Sequence, residues 1–151
     1  MTDIAFYHLV RRGVDETLPA LLEKVWDRGL RAVVLAGSPE RVEALDSLLW
    51  TYRRESFLPH GARRDGHLAE QPIYLADAEE NPNGAGVLVT LDGASPEFVA
   101  GFSRCLDLFD GNDPAALAAA RQRWKAAKAA GHKLTYWQQS ESGQWEEKSA
   151  G

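Results

Sequence analysis

Short apolar runs alternate with amphipathic segments along most of this chain, and this alternation restricts the fold more than any other feature. Apolar runs of roughly four to eight residues are typical of buried strands, whereas apolar residues spaced three and four apart are typical of helices on a sheet. Strands separated by helices pair in parallel through right-handed crossovers. The sequence therefore predicts a three-layer, Rossmann-like α/β sandwich with a largely parallel central sheet. The predicted strands are IAFYHLV (4–10), RAVVLAG (31–37), PIYLA (72–76), GVLVTL (86–91), SRCLDLF (103–109) and KLTYW (133–137).

Two helices are predicted between the first strands. The first covers DETLPALLEKVWDRG (15–29), with Pro19 in its first turn, where a missing N–H is tolerated. The second begins at Pro39 after Ser38, a residue type that favours the N-cap. Each helix presents one apolar stripe, which predicts that one side packs on the sheet.

The third predicted helix is the clearest in the chain. Asp113 is a favourable N-cap, Pro114 fits the first helical position, and alanine, the best helix former, fills the body before Gly131. The segment after the last predicted strand is polar. We therefore expect a single domain over 1–138 and a polar, flexible tail over 139–151.

The composition indicates a folded protein that works in water. Hydrophobic residues make up 44% of the chain and charged residues 26%. No apolar run approaches the roughly 18 residues that span a bilayer, and the N-terminus lacks the features of an export signal. One cysteine, Cys105, fits a reducing cytoplasm. We therefore expect a cytoplasmic protein without a membrane segment. Its net charge of −5 disfavours extensive nucleic-acid binding but leaves a local basic patch open.

Folds of this kind often bind nucleotides, but the glycine patterns for that function are missing. The turn AGSPE (36–40) holds one glycine where the dinucleotide fingerprint needs three. The segment NPNGAG (81–86) lacks the lysine and the hydroxyl residue of a phosphate loop. Gly37 and Ser38 are therefore interpreted as a tight turn and a helix cap, and no cofactor is expected.

Residues that ligate metals or catalyse reactions are scattered along the chain. Of the four histidines only His60 and His67 are close in sequence, and Cys105 is far from both. The acidic pairs at 79–80 and 146–147 stand in polar segments, which is typical of solvated charges. Cys105 lies in an apolar run without the local signature of a nucleophile. The sequence therefore predicts neither a metal site nor catalytic residues.

The third predicted helix is basic although the whole chain is acidic. Residues 113–133 hold five basic residues and one acidic residue. Arg121, Lys125 and Lys128 share one helical face, and Trp124 lies beside them. In one interpretation the cations complement the helix dipole and the indole is core. In the other, this face binds an anionic partner with an apolar end, either an acidic peptide or nucleic acid.

A second aromatic cluster lies in the segment LLWTYRRESFLPHG (48–61). Trp50 and Phe57 either close one end of the core or form a face that another protein contacts. In the second case Arg53 and Arg54 would form a polar rim around two aromatic anchors.

Three segments of this chain together resemble the chi subunit of bacterial DNA polymerase III. They are IAFYHL (4–9), LDSLLWTYRRESFLPHG (45–61) and RQRWKAAKAAGHKL (121–134). Their order and approximate spacing follow the family up to about Trp137. Residues 61–85 follow no family pattern. Trp124 replaces a tyrosine of the family motif, and Ala127 stands where the family often has a second aromatic residue.

The resemblance implies a non-catalytic accessory protein on a Rossmann-like fold without a nucleotide site. Chi proteins pair with the psi subunit, which ties them to the clamp-loader complex. They also bind the acidic C-terminal tail of the single-stranded-DNA-binding protein, so that their contact with DNA is mostly indirect. By the family motif, Trp50, Phe57 and Pro59 would belong to the face that meets psi, or another clamp-loader protein.

The resemblance also implies a site for the acidic tail at Arg121, Trp124 and Lys125, with Phe109 as a wall of the pocket. Lys128 is added from the basic helix face and not from the motif. In the family this tail is a run of aspartates that ends in Pro-Phe and a free carboxylate. We expect an affinity of roughly micromolar, because few groups would be buried, and weaker binding in salt.

Two functions of other classes remain open from the sequence. One is a nucleotide-processing enzyme on the same α/β fold, which the missing glycine and lysine signatures disfavour. The other is a nucleic-acid-binding domain that uses the basic last helix directly.

Overall fold

The computed structural model describes residues 2–10, 13–51, 59–91, 93–140, 142 and 144–150. Within these ranges, eight strands form one sheet in the order β3-β4-β2-β5-β6-β1-β7-β8. All neighbouring strands are parallel except β7 and β8. The predicted α/β fold with a largely parallel central sheet is thus confirmed. The strands are β1 (Asp3–Leu9), β2 (Ala32–Leu35), β3 (Gly61–Ala62), β4 (Ile73–Ala76), β5 (Val87–Thr90), β6 (Arg104–Asp110), β7 (Lys133–Gln139) and β8 (Trp145–Ala150).

Helices cover both faces of this sheet. On one face, residues of the first two helices pack with Ala5 and Leu9 of β1. On the other face, residues of the last two helices pack with Ile4 and Phe6 of the same strand. This alternation is the period of two that a strand buried on both sides requires. None of the helices in the described ranges has the length and apolar character that crossing a bilayer demands. The helices are α1 (Val14–Asp27), α2 (Pro39–Thr51), α3 (Pro96–Val99) and α4 (Pro114–Ala129).

The predicted helix caps are confirmed by hydrogen bonds. Ser38 Oγ accepts a hydrogen bond from the backbone N–H of Arg41 at 3.2 Å, at the start of α2. Asp113 Oδ1 accepts one from the backbone N–H of Ala115 at 3.0 Å, at the start of α4. Each cap satisfies a donor that the first helical turn leaves without a partner.

Three local features differ from the prediction. α1 begins at Val14, so Pro19 is its sixth residue and does not lie in the first turn. Pro19 is buried, and packing outweighs the loss of one helical hydrogen bond there. β3 has two residues and α3 has four, too few for a periodic pattern to indicate them.

The largest difference concerns the C-terminal segment. In place of the expected tail over 139–151, β7 continues to Gln139, and Trp145–Ala150 pairs antiparallel to it as β8. The Trp145 ring packs edge-on against Tyr7, with 5.1 Å between ring centroids. Polarity alone was misleading, because an edge strand with one solvated face carries polar residues at alternate positions.

Candidate functional site

α4 lies across the second face of the sheet and carries the predicted basic surface. Its inner side is small and apolar: Ala120 is buried, and Leu117 and Ala127 are partly buried against the core of that face. Trp124 has the one large ring on this side of α4. That ring meets Phe6 of β1 and Tyr136 of β7 in edge-to-face contacts, with centroid distances of 5.3 and 5.8 Å.

A pocket of about 360 Å³, here called the α4 pocket, opens between α4, β6, β7 and β8. It contains four of the five residues predicted for the tail site, namely Phe109, Arg121, Trp124 and Lys125. The fifth, Lys128, is exposed in the last turn of α4 and does not line this pocket. The remaining lining residues are Leu117, Ala120, Tyr136 and Lys148.

The walls of the α4 pocket are aromatic. Phe109 is almost fully buried at its base. Trp124 is half-buried, so its indole contributes both to the packing of α4 on the sheet and to the pocket wall. Neither simple interpretation of Trp124, core or surface, describes it completely. An edge-on arrangement of rings leaves aromatic faces available to a further ring.

The rim of the α4 pocket is positively charged. Arg121 and Lys125 are exposed, and neither forms an ion pair with a carboxylate of any residue that the structure describes. Lys148 reaches the pocket from β8 and donates a hydrogen bond to Glu146 at 2.9 Å. The described lining itself contains no carboxylate. An anion that enters this pocket therefore meets cations whose charge is only partly compensated.

His8 and Tyr136 form a hydrogen-bonded pair beside the pocket. The distance between His8 Nδ1 and Tyr136 Oη is 2.6 Å. Burial lowers the pKa of His8 and nearby Arg121 lowers it further, while the Gly111 backbone and Asp110 act in the opposite direction. A neutral imidazole accepts the phenol hydrogen at Nδ1. A Cβ on Gly111 would lie 1.8 Å from the His8 ring, so only glycine fits against it.

No pattern in the sequence indicated His8, Tyr136 and Lys148 as neighbours of this site. The strand register explains why they meet the predicted residues. His8 lies opposite Phe109 of β6, and Phe6 lies opposite Tyr136 of β7. The alternation within β1 was visible in the sequence, but the position of β1 between β6 and β7 was not. Lys148 belongs to β8, which the sequence did not predict.

Arg123, on the same helix, has a different role. Its guanidinium makes two hydrogen bonds to the Asp107 carboxylate, of 2.7 and 2.9 Å, beneath α4. Burial raises the pKa of Asp107, and the Arg123 hydrogen bonds and charge oppose that shift. Gly93 allows this arrangement, because a Cβ at that residue would lie 2.7 Å from Arg123 Cδ. The pair anchors α4 to β6 and leaves Arg121 and Lys125 for the outer surface.

The second predicted surface lies at the end of α2. Trp50 is 53% exposed, which places much of its indole on the surface and not in the core. Its ring packs against His60, with 4.8 Å between centroids. His60 is buried, and its Nε2 lies 3.1 Å from Asp46 Oδ1. Trp50 therefore packs on His60, which is held in turn by Asp46 of α2.

The other residues of that prediction can be placed only in part. Pro59 is half-buried next to His60. Phe57, Arg53 and Arg54 lie outside the described residues. Since α2 and α4 pack on opposite faces of the sheet, the Trp50 surface and the α4 pocket lie on opposite sides of the protein.

Within the described ranges, no three His, Cys, Asp or Glu side chains cluster in a way that could hold a metal ion. His67 Nδ1 lies 3.4 Å from Glu70 in an exposed pair. Cys105 is buried, and burial raises the pKa of its thiol, which keeps it protonated near neutral pH.

Comparisons with known proteins agree on one family. Residues 1–135 match the family model described as "DNA polymerase III chi subunit, HolC". DNA polymerase III subunit chi of Pseudomonas aeruginosa is 30% identical over 137 residues, which cover 89% of this chain and 94% of that protein. The corresponding protein of Escherichia coli strain K12 is 25% identical over 123 residues, covering 81% and 83%.

A third relative is matched over a shorter stretch. The probable DNA polymerase III subunit chi of Rickettsia prowazekii is 36% identical over 91 residues, covering 60% of this chain and 55% of that protein. The chain thus aligns with about half the length of the Rickettsia protein and nearly all of the Pseudomonas protein. Because the family model matches most of the chain, this protein belongs to the DNA polymerase III chi subunit family.

Proposed function

We propose that this protein is a non-catalytic accessory subunit of the bacterial DNA polymerase III holoenzyme. It links the clamp-loader complex to template coated by single-stranded-DNA-binding protein during replication. One surface binds the acidic C-terminal tail of that protein, and the other binds psi or another clamp-loader protein. As a subunit of the replicase it works in the cytoplasm.

The α4 pocket is the observation that carries this proposal. It joins cations at its rim to aromatic walls, a combination that suits a peptide with both carboxylates and a terminal aromatic ring. Arg121 can hold the terminal carboxylate with two parallel hydrogen bonds. The ring of the last residue can pack against Trp124 and Phe109.

The size of the pocket supports the same assignment. At about 360 Å³ it lies near the lower end of the roughly 300–1,000 Å³ range of small-ligand pockets, enough for one or two side chains. Few buried groups imply modest affinity, and we expect a Kd of roughly 1–10 μM. Tails offered by several copies of the partner would strengthen attachment through effective concentration.

The Trp50 surface is our candidate for the clamp-loader side. An exposed indole at a helix end is the kind of anchor that dominates protein–protein interfaces, at about 2 kcal/mol or more when central. Its position opposite the α4 pocket would let both partners bind at once. Replacing Trp50 with alanine should abolish pull-down of psi while leaving tail binding intact.

Calorimetric titration with an acidic peptide that ends in Pro-Phe tests the tail site. We expect saturable binding that weakens as salt rises, because exposed charges are screened. Arg121→Ala should weaken it at least tenfold, by loss of a charge-assisted hydrogen bond of about 1.5–3 kcal/mol. A peptide that lacks the final phenylalanine should bind the unmutated protein at least tenfold more weakly than the complete peptide does.

Lys128→Ala is the matched control, since it removes one exposed cation of the same helix outside the pocket lining. It should change the affinity less than twofold. Equal losses of peptide affinity in Arg121→Ala and Lys128→Ala would show that the peptide binds by non-specific charge attraction. Binding of a single-stranded oligonucleotide that depends on Arg121 as strongly as the peptide does would favour direct nucleic-acid binding by α4 instead.

A further inference from the structure

A second pocket of about 320 Å³, here called the α1 pocket, lies on the opposite face of the sheet from the α4 pocket. It opens between the end of α1 and the strands β7 and β8. Its position separates it from the proposed tail site by the full thickness of the sheet. Its lining includes three aromatic residues and three cations, beside five aliphatic residues: Tyr7, Trp137, Trp145, Lys24, Arg28 and Arg104.

The three aromatic side chains lie side by side on the neighbouring strands β1, β7 and β8 near one edge of the sheet. The rings of Tyr7 and Trp137 are nearly parallel, at 13° and 6.5 Å between centroids. Trp145 meets Tyr7 edge-on at 5.1 Å. Both indoles are only half-buried, so their outer surfaces reach solvent. Ring surfaces that reach solvent in this way are available for stacking.

The cations of the α1 pocket stand without carboxylate partners in the described part of the chain. Lys24, Arg28 and Arg104 are all exposed. Among the residues that the structure describes, none of the three forms an ion pair, and the pocket lining contains no carboxylate. In contrast, Arg123 and Arg63 each bind a carboxylate directly. A chain with a net charge of −5 thus places three cations around one aromatic hollow.

Two of these cations act electrostatically on the hydroxyl of Tyr7. Burial raises the pKa of the Tyr7 hydroxyl, and the charges of Arg104 and Arg28 act against that shift. Both arginine side chains line the same pocket as the Tyr7 ring. They come from the start of β6 and the end of α1, so the fold brings together cations that are 76 positions apart in the sequence.

This combination fits a single nucleic-acid strand better than a peptide. Proteins that bind single strands combine aromatic platforms, on which bases stack, with cations that follow the phosphates. Guanidinium groups bind phosphate oxygens through two hydrogen bonds. A peptide tail ending in one ring needs a site for a single ring, whereas the α1 pocket presents three neighbouring rings.

We propose that the α1 pocket binds one or two nucleotides of single-stranded nucleic acid. Trp145 and Trp137 stack on the bases, and Arg28, Arg104 and Lys24 hold the adjacent phosphates. This inference does not rest on the proposed tail site, which lies on the other face. Trp145 lies in β8, beyond the 135 residues that the family model covers, so the site belongs in part to a segment of this chain outside that match.

Fluorescence anisotropy of a labelled twelve-nucleotide oligo-dT, titrated with the full chain at 20 mM and 150 mM salt, tests the proposal. We expect saturable binding at low salt with a Kd below about 100 μM, and weaker binding at high salt. Arg28→Ala combined with Arg104→Ala should lower the low-salt affinity at least tenfold. The slope of log Kd against log salt should fall by about 0.7 for each phosphate that the variant no longer neutralises.

Trp145→Ala should weaken binding about tenfold, as removal of one stacking platform does, and Trp145→Phe should restore most of it. The conservative variant separates stacking from damage to β8. Lys128→Ala removes a comparable exposed cation outside both pockets and should change the Kd less than twofold.

Three results would overturn the proposal. The first is no binding of oligo-dT by the intact chain at 20 mM salt up to 100 μM protein. The second is an equal loss in Lys128→Ala and in Arg28→Ala/Arg104→Ala, which would indicate general charge attraction. The third is an acidic peptide whose binding depends on Arg104 while oligo-dT binding does not, which would assign the α1 pocket to a protein partner.

Discussion

Arg123→Ala tests whether the ion pair between Arg123 and the buried Asp107 holds the helix that carries the α4 pocket. Asp107 is 4% exposed and receives two hydrogen bonds from the Arg123 guanidinium. Removing the guanidinium leaves this carboxylate buried without its counter-charge. Breaking one side of a buried pair costs about 3–5 kcal/mol. For a domain of this length that corresponds to a fall in Tm of about 6–20 °C.

The pH dependence of this loss has a definite sign. Burial already raises the pKa of Asp107, and Arg123 is the group that opposes the shift. In Arg123→Ala the pKa of Asp107 rises further above its unfolded value. The folded variant then binds a proton that the unfolded chain does not, so its stability relative to wild type improves as the pH falls toward the folded pKa. The deficit should be largest near pH 7 and smaller near pH 5.

Urea denaturation followed by tryptophan fluorescence, at pH 7 and pH 5, measures the loss of stability and its dependence on pH. Arg123→Ala/Asp107→Asn is the informative second variant, because it removes the buried charge as well and should recover part of the lost stability. Lys125→Ala, on the same helix but exposed, should cost under about 0.5 kcal/mol. A loss below about 1 kcal/mol in Arg123→Ala, or a deficit that does not change with pH, would show that the pair does not anchor α4.

Two further predictions concern the two surfaces. The pKa of His8, measured by NMR titration of the imidazole, should rise in Arg121→Ala, because burial lowers this pKa and the Arg121 charge lowers it further. Lys128→Ala should leave the pKa of His8 unchanged. If the pKa does not rise in Arg121→Ala, the Arg121 guanidinium does not act on His8. Trp50→Ala should destabilise the protein by only about 1 kcal/mol, because its indole is half exposed. Leu49 is only 1% exposed, so Leu49→Ala should cost about 2–5 kcal/mol in the same urea assay. Comparable losses of stability in Trp50→Ala and Leu49→Ala would show that Trp50 is a core residue.

The family resemblance and the tertiary structure contributed different information about the α4 pocket. The resemblance named Arg121, Trp124 and Lys125, which are one helical turn apart and therefore share a surface whatever lies beneath them. Lys128, added by the same helical spacing, is exposed in the last turn of α4 and does not line the pocket. Helical periodicity gives the direction of a side chain but not the extent of the surface that it faces.

Arg123 illustrates a further limit of the local pattern. It stands two residues from Arg121 in the same basic segment, yet it points toward the sheet. Its partner, Asp107, stands in a strand whose apolar neighbours favour burial, and a buried carboxylate needs a cation. The sequence shows both residues but does not show that β6 lies directly under that side of α4.

The C-terminal strand shows the same limit at larger scale. The segment after Gln139 is polar, and its composition alone predicted a tail. Pairing with β7 and packing of Trp145 on Tyr7 supply the contacts that its composition does not reveal. Both pockets use this strand: Lys148 lines one and Trp145 lines the other.

Local interactions in the sequence determined the elements themselves. The alternation of apolar residues set strands and helices, and Ser38 and Asp113 set where two helices begin, because caps and periodicity act within a few residues. Only the tertiary structure decided the strand order, the position of β8 and which cations face a pocket. These depend on contacts between residues far apart in the chain, and many arrangements of the same elements satisfy the same local pattern. The two pockets on opposite faces of one sheet are a product of that arrangement.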